Sequence, residues 1–340
     1  MEKVIIIAEA GVNHNGDINL AYQLVDAAAN ARVDYIKFQT FIADLIVDKD
    51  AEKAEYQKNN TKESDTQYEM IKKLELSFDD FKHLKQHCDK KKIKFLTSVA
   101  DFVSLKKIDD YNLDYIKIAS GELTNTLFLR KVANKKKPII LSTGMATLGE
   151  IENALYTLQN EGVSINDIIV LHCNTEYPTP MKDVNLKAMQ TIADAFKVRV
   201  GYSDHTLGIE VPIAAVALGA SIIEKHFTLD KSLPGPDHSS SLDPIELKTM
   251  VSNIRNVERA ISGSGRKQPS KSELKNIEIV RKSLFTSRQI KKGDLFSEIN
   301  IVLKRPGSGI SAMEIDKIIG KPAANDLSKG IKIAYKDIKW

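Results

Sequence analysis

Two hydrophobic periods alternate along the chain. Short, nearly continuous apolar runs rich in Val and Ile occur at residues 4–8, 35–39, 93–98, 115–119, 138–142, 168–172, 198–202 and 221–226. Between most of them lie longer stretches with apolar positions at helical spacing, among them INLAYQLVDAAANA, LGEIENALYTLQN and GIEVPIAAVALGA. A continuous apolar run marks a strand buried on both faces, whereas recurrence at i, i+3 and i+4 marks an amphipathic helix. Eight repeats of strand then helix fit a closed parallel barrel, usually ~250 residues long, better than an open sheet. The pattern therefore predicts an α/β protein, with a (β/α)8 TIM barrel over residues 1–261.

Two segments break the alternation. The connection between the second and third runs, residues 41–77, is unusually long and is polar and charged in its middle (DKDAEKAEYQKNNTKESD). Long connections of this kind are commonly lids or binding loops. After the last barrel helix, SGSGRKQPSKSE predicts a flexible linker over residues 262–280, by its Gly, Ser, Pro and Lys content. A small domain follows over residues 281–340, with short strand-like pieces, the turn KKGD, the loop KRPGSG and a small helix around residues 312–319. So short a segment holds only a small core, and it is expected to lean on the barrel or on a second subunit.

Composition narrows the class. With 42% apolar and 28% charged residues the chain is an ordinary folded protein, which excludes a disordered or fibrous one. A net charge of +4 is too small to indicate a nucleic-acid partner. The charge is uneven, however: from Ser270 onward there are fifteen Lys and Arg against eight Asp and Glu, so a slightly acidic body precedes a basic tail suited to an anionic ligand. Cys88 and Cys173 are far apart and in no paired spacing, which implies neither a disulfide framework nor a structural zinc site, and points to a reducing compartment. The start, MEKVIIIAEAG, has too short an apolar run for a signal peptide, and no stretch approaches the ~20 apolar residues that span a bilayer. A cytoplasmic protein without a membrane or nucleic-acid partner is expected.

In a parallel barrel the reactive side chains come from the C-terminal ends of the strands. Here those ends carry Glu9; Lys37 and Gln39; Thr97 and Ser98; Lys117, Ser120 and Glu122; Ser142; Asn174 and Thr175; Ser203, Asp204 and His205; and Glu224 and His226. A Ser or Asn at such a place serves equally well to cap the next helix. Lysines within buried strands are more telling, because a buried ammonium is costly unless it meets an anion. Lys37 and Lys117 thus predict a bound negative charge. In PIILSTGMATLGEIENAL the strand runs through Ser-Thr-Gly into a helix, whose N-terminus favours phosphate, and Lys117 with Ser120 could grip the same group.

His205 and His226 end the adjacent seventh and eighth strands, so their imidazoles can converge on one divalent cation, Mn²⁺ or Mg²⁺, with waters or substrate oxygens completing its shell. Glu224 alternates onto the same side as His226 and is a candidate further or supporting ligand. A lone His is more often a hydrogen-bonded structural residue, and it is the pairing that favours metal. His83 and His87 lie in the Lys-rich FKHLKQHC, read as a solvated outer helix, while His14, His172 and His238 stay open between structural and site roles. Cys173 is read as packing.

Taken in order, AEAGVNHNG, IKFQTF, YIKIASGELTN, KPIILSTGM, LHCNTEYPTP, VGYSDHT, IEKHFTLDKSLPGPDHSSSL and, in the tail, IKKGDLF and LKRPGSGIS resemble the sialic acid synthase (N-acetylneuraminate synthase) family. The resemblance is to its bacterial type, close to the N,N'-diacetyllegionaminate synthase branch, with a C-terminal antifreeze-like (SAF) domain, and it spans essentially the whole chain. It implies a transferase that joins phosphoenolpyruvate to N-acetylmannosamine or a related acetamido sugar and releases phosphate by C–O cleavage. N-acetylneuraminate is the first expectation, and diacetyllegionaminate, from 2,4-diacetamido-2,4,6-trideoxymannose, is the alternative.

Carried over residue by residue, the resemblance implies that His205 and His226 hold the metal. Lys117, Ser120, Ser142 and Ser203 would bind phosphoenolpyruvate, with Ser98 and Thr175 nearby. Gln39, Glu122, Tyr177 and Asp237 would meet the sugar, Glu9 and Lys37 would complete the polar floor, and Glu122 and Asp237 would move protons. A domain-swapped homodimer is implied as well, with Arg305 of one subunit reaching the other's site. Two places depart from the family pattern: TSVADF stands where Ser-Thr-Pro-Phe is usual, and Asn174-Thr175 where some members have Thr-Asn. Rival readings fit less. A phosphoenolpyruvate aldol enzyme making a seven- or eight-carbon keto acid would not need the KRPG tail, and a carbohydrate- or ice-binding protein using the tail alone would leave the lysines and the histidine pair without a role.

Overall fold

Eight parallel strands close into a barrel in this computed structural model, which describes residues 3–61 and 64–340. They are β1 (Ile5–Gly11), β2 (Tyr35–Thr40), β3 (Lys94–Val99), β4 (Ile116–Ile118), β5 (Ile139–Ser142), β6 (Ile168–Cys173), β7 (Arg199–Asp204) and β8 (Ile222–His226). Each predicted apolar run becomes a strand, and β1 closes the ring by pairing with both β2 and β8. Helices cover the outside, so the fold is a (β/α)8 barrel.

The strand period of two separates the layers. Ile6, Ala8, Ile36, Phe38 and Phe95 face the helices in the large outer core. Ile7, Tyr35, Leu96, Ile140, Ile169, Leu171 and Ile222 fill the barrel's interior. Two residues further along each strand, the same inward face carries Glu9, Lys37, Ser98, Ser142, Cys173 and Glu224. The barrel is thus plugged with hydrocarbon below and polar at its C-terminal rim. Its last helix, Pro244–Ile261, ends where predicted, with Pro244 in the first turn and Asp243 and Glu246 forming a capping box.

The segment between β2 and β3 is more than an open loop. It contains the helices Ala43–Ile46, Glu55–Thr61 and Gln67–Lys73, and buries a cluster of Val12, Phe41, Met70 and Leu74. Lys62 and Glu63, in the middle of that polar stretch, lie outside the described residues. No helix among the described residues is long and apolar enough to cross a membrane.

The chain divides into two units, Met1–Gly263 and Ser264–Trp340. The expected linker over residues 262–280 is corrected in its second half: Lys271–Val280 is a helix, started by a reciprocal cap between Ser270 and Glu273. The second unit pairs β9 (Ser283–Thr286) antiparallel with β10 (Ile301–Lys304). It packs Leu284, Phe296, Ile310 and Ile333 into a core of its own.

Candidate active site

At the C-terminal rim of the barrel is a cavity of about 570 Å³. Glu9, Lys37, Gln39, Ser98, Lys117, Ser120, Ser142, Thr175, Tyr177, Ser203, His205, His226 and Asp237 all line it, so residues spread over 228 positions of sequence meet at one end of one ring of strands. Of the residues expected from the barrel itself, Glu122 does not line it. Glu122 sits in the short turn Ser120–Glu122, where its carboxylate accepts a hydrogen bond from Asn125 Nδ2 at 2.7 Å. Arg305 is exposed in the second unit, just after β10.

Four ionisable groups form the floor. Lys37 Nζ lies 2.8 Å from Glu9 Oε2 and 3.8 Å from Glu224 Oε2, while Lys117 Nζ lies 3.6 Å from Glu224 Oε1 and donates to Ser142 Oγ at 2.7 Å. Ser203 Oγ donates to Glu224 Oε1 at 3.0 Å, and Gln39 Nε2 to Glu9 Oε1 at 3.2 Å. All four charged groups are buried, so desolvation works against each, and what decides their state is the pairing. Burial pushes the Glu9 carboxyl up to about 7, with Lys37 restraining the rise and Glu224 adding to it. Burial opposes ionisation of Glu224 too, yet Lys117 and Lys37 outweigh it and hold that carboxyl below its ordinary range. Burial pulls Lys117 below the usual lysine range, and Glu224 offsets only part of that. Lys117 is therefore the ammonium with most to gain from an added anion.

The anion cradle differs in one respect from the sequence expectation. The helix Leu148–Asn160 does not present a free N-terminus: Thr147 and Glu150 close a capping box over it, and the Glu150 carboxylate takes the Thr147 N–H. A carboxylate thus already stands at that helix start. The hydroxyls of Ser120, Ser142 and Ser203 around Lys117 remain. Gly144 N donates to Ser120 Oγ at 2.9 Å, which ties the loop after β5 to that after β4.

The ring centroids of His205 and His226 are 5.3 Å apart, on the same rim as the lysines. His205 Nδ1 donates to the Asn174 carbonyl, which can only accept, so Nε2 carries the lone pair; it accepts from Tyr177 Oη at 3.0 Å. The Tyr177 ring also stacks on His205 at 4.1 Å. His226 Nδ1 is buried without a hydrogen-bond partner among the described residues, 3.7 Å from Asp237 Oδ2. Burial lowers His205 to about 4, and burial with His205 alongside drives His226 well below the ordinary histidine range. Two neutral imidazoles, one with its tautomer fixed and one with an orphaned nitrogen, are a donor set that fits a divalent cation with open positions. Among the described residues no group of three or more His, Cys, Asp and Glu could hold a metal, so further ligands would be water or substrate oxygens.

The sequence reading did not single out the support behind His205. Lys225 and Asp204 are wholly buried on the helix-facing side of β8 and β7, with Nζ to Oδ2 at 2.5 Å. Lys225 also donates to the Thr206 carbonyl, and Asp204 accepts from the Thr206 N–H and hydroxyl at 3.0 and 3.1 Å. The turn that presents His205 is clamped on both flanks. In the TSVADF departure, Asp101 organises the loop, accepting from Ser104 N, Ser104 Oγ and Ile42 N. At Asn174-Thr175 the roles divide: Thr175 lines the cavity, while the Asn174 side chain accepts from Glu176 N. His172 and His238 are hydrogen-bonded to Val184 O and to Thr228 and Asn15, and His87 pairs with Asp26 on the outside.

The NeuB family profile matches residues 24–267, and the SAF domain profile residues 281–339. The chain is 52% identical over 326 residues to the N,N'-diacetyllegionaminic acid synthase of Campylobacter jejuni, covering 96% of this chain and 97% of that protein. It is 49% identical over 336 residues to the enzyme of the same name from Legionella pneumophila, covering 98% and 94%. Its fold is similar to the crystal structure of N-acetylneuraminic acid (sialic acid) synthetase from Leptospira borgpetersenii, with a TM-score of 0.70 and 36% identity over 82% of this chain and 91% of that one. With both profiles matched in the order barrel then tail, the chain belongs to the NeuB family and carries a SAF domain at its C-terminal end.

Proposed function

We propose that the protein is an N,N'-diacetyllegionaminate synthase, condensing phosphoenolpyruvate with 2,4-diacetamido-2,4,6-trideoxymannose. Its relatives reverse the order set by sequence alone, in which N-acetylneuraminate stood first: the two bacterial proteins at about half identity are both named for legionaminate. The observation that carries the reaction type is that one cavity holds both the imidazole pair and the lysine–serine cradle.

In the proposed reaction C3 of phosphoenolpyruvate bonds to the aldehyde carbon of the open-chain sugar, whose oxygen takes a proton to become a hydroxyl. Water adds at C2, and the C2–O bond to phosphate then breaks, leaving the keto acid and inorganic phosphate. Lys117 with Ser142, Ser203 and Ser120 binds the carboxylate and phosphate. Gln39, Tyr177 and Asp237 orient the sugar, and Glu9 and Asp237 are the carboxyl groups placed to hold or move protons. A divalent cation, Mn²⁺ or Mg²⁺, held by His205 and His226 would supply Lewis-acid polarisation of the aldehyde. Use of phosphoenolpyruvate supports a cytoplasmic enzyme, and the family resemblance supports a homodimer, which sedimentation would test.

Phosphate release from phosphoenolpyruvate by the purified chain, with each sugar in turn, tests the reading. The diacetamido sugar should be turned over with kcat/KM at least about tenfold above N-acetylmannosamine, the scale on which a pocket separates substrates by one apolar group. Chelation should stop release and Mn²⁺ restore it. Preference for N-acetylmannosamine would return the assignment to N-acetylneuraminate, and release unaffected by chelator would remove the metal.

A further inference from the structure

The cavity has two unlike sides. To the same cavity the segment between β2 and β3 contributes Ile46, Ala54, Met70, Ile71 and Leu74, and among the described residues it contributes no charged side chain to the lining. Of the polar members of this wall, Gln57 and Gln67 hydrogen-bond to each other at 3.4 Å, and Tyr56 carries a phenol. Met70 and Leu74 are buried in the cluster beneath, but Ile46 and Ile71 only rest against it and keep part of their surface free.

The wall is also fixed in place. Tyr56 stacks on Tyr177 at 5.0 Å, and Tyr177 in turn stacks on His205. Asn60 Nδ2 donates to the Pro236 carbonyl at 2.6 Å, beside Asp237. The segment is therefore held by the residues that surround the imidazole pair, and its apolar residues line the cavity together with them.

An aldehyde reacting at the imidazole end must direct the rest of its chain elsewhere in the cavity. The two candidate sugars differ there. Relative to N-acetylmannosamine, the diacetamido sugar replaces the C4 hydroxyl with an acetamido group and the C6 hydroxymethyl with a methyl. Two methyl groups are gained and two hydroxyls lost. Hydroxyls against the Ile46 and Ile71 side chains would give up water without a protein partner there, whereas methyls gain by leaving water.

We infer that the apolar wall between β2 and β3, centred on Ile46 and Ile71, selects the sugar by receiving its 4-acetamido methyl and C6 methyl; this deepens, and rests on, the legionaminate synthase reading above. The β2–β3 segment is then a specificity element as well as a cover for the site.

The experiment compares Ile46→Thr and Ile71→Thr with the parent enzyme on the diacetamido sugar, on 6-deoxy-N-acetylmannosamine and on N-acetylmannosamine. Thr keeps the β-branch and one methyl but replaces the ethyl arm with a hydroxyl, so each variant should lose about tenfold in kcat/KM for the diacetamido sugar. The loss should be smaller for 6-deoxy-N-acetylmannosamine and smallest for N-acetylmannosamine, and the KM for phosphoenolpyruvate should stay within about twofold of the parent value, the margin that separates a lost sugar contact from a lost fold. Ile71→Val, one methylene shorter, should give a graded loss and serves if a Thr variant does not fold. Equal losses on all three sugars, or a diacetamido kcat/KM within about twofold of the parent, would overturn the inference. Failure of the parent enzyme itself on the diacetamido sugar would overturn the functional reading instead.

Discussion

Gly144 shows how tightly the anion cradle is drawn. A Cβ there would lie 2.5 Å from Thr175 Cγ2, 2.9 Å from Ser120 Oγ and 3.1 Å from Cys173 Sγ, all three belonging to cavity-lining residues. Gly144→Ala must push Ser120 out of line, so the KM for phosphoenolpyruvate should rise about tenfold while stability falls by about 1–3 kcal/mol, the cost of overpacking. Steady-state kinetics and urea unfolding on the same variant check both. Lys225 teaches the opposite lesson about buried lysines. Lys37 and Lys117 face the cavity, Lys37 with Glu9 beside it, whereas Lys225 faces the helices and has its counter-ion, Asp204, built in away from the cavity. Lys225→Met would strand that carboxylate at a cost of about 3–5 kcal/mol. The turn around His205 would loosen with it, so Mn²⁺ affinity measured by calorimetry should fall as well. Strand period alone tells which face a lysine is on; it does not tell whether an anion waits there in the protein or must be bound.

Among the elements, the strands were legible because burial on both faces leaves an unbroken apolar run, and the polar ends of those runs located the rim. The helices between β2 and β3 were not legible. They are four to seven residues long, too short to show a period, and Glu55–Thr61 buries no side chain of its own. Lys271–Val280 hid for a similar reason: its apolar residues Leu274, Ile279 and Val280 are exposed, and its start is signalled only by the Ser270–Glu273 cap. The Ser-Thr-Gly stretch after β5 does not itself open a helix: the helix begins four residues after Gly144, with its own Thr147–Glu150 cap. Gly201 in β7 illustrates a constraint that an apolar pattern does not carry. A Cβ there would meet the Ile222 carbonyl at 2.5 Å and Leu171 Cδ2 at 2.6 Å, one of them backbone of the neighbouring strand. Gly201→Ala should therefore cost about 3 kcal/mol, at the upper end of overpacking, seen as a lower midpoint in thermal or urea unfolding. Strand β7 carries Ser203 and leads into His205, so the same variant tests whether closure of the ring positions the site.

At the scale of the molecule, closure of the barrel between β8 and β1 is where the fold meets pH. Asn13 Nδ2 donates to Phe227 O and Ser241 Oγ, each at 2.9 Å, and His238 hydrogen-bonds to Asn15 at 3.0 Å and Thr228 at 2.7 Å, so the loops after the first and last strands are stitched together. Burial lowers His238 to about 4, and burial with His238 nearby lowers His14 to about 4. In the unfolded chain both titrate near the ordinary value of 6.5. Between pH 6.5 and 4 the unfolded state therefore binds protons that the folded state refuses, and stability falls as pH falls through that window. At 1.36 kcal/mol per pH unit, each imidazole contributes about 3 kcal/mol by the lower end. Glu9 and Asp237 act in the opposite sense, since burial raises them to about 7 and about 6 and makes the folded state the better proton acceptor. The total slope is thus a difference of opposing contributions, and a comparison with His238→Gln isolates one of them. Gln cannot ionise, so urea unfolding at pH 7 and at pH 4 should show the parent protein losing about 3 kcal/mol more than the variant between those values. Equal losses would mean that His238 accepts its proton without leaving the folded state, and that the stitching of β8 to β1 survives a charge at its centre.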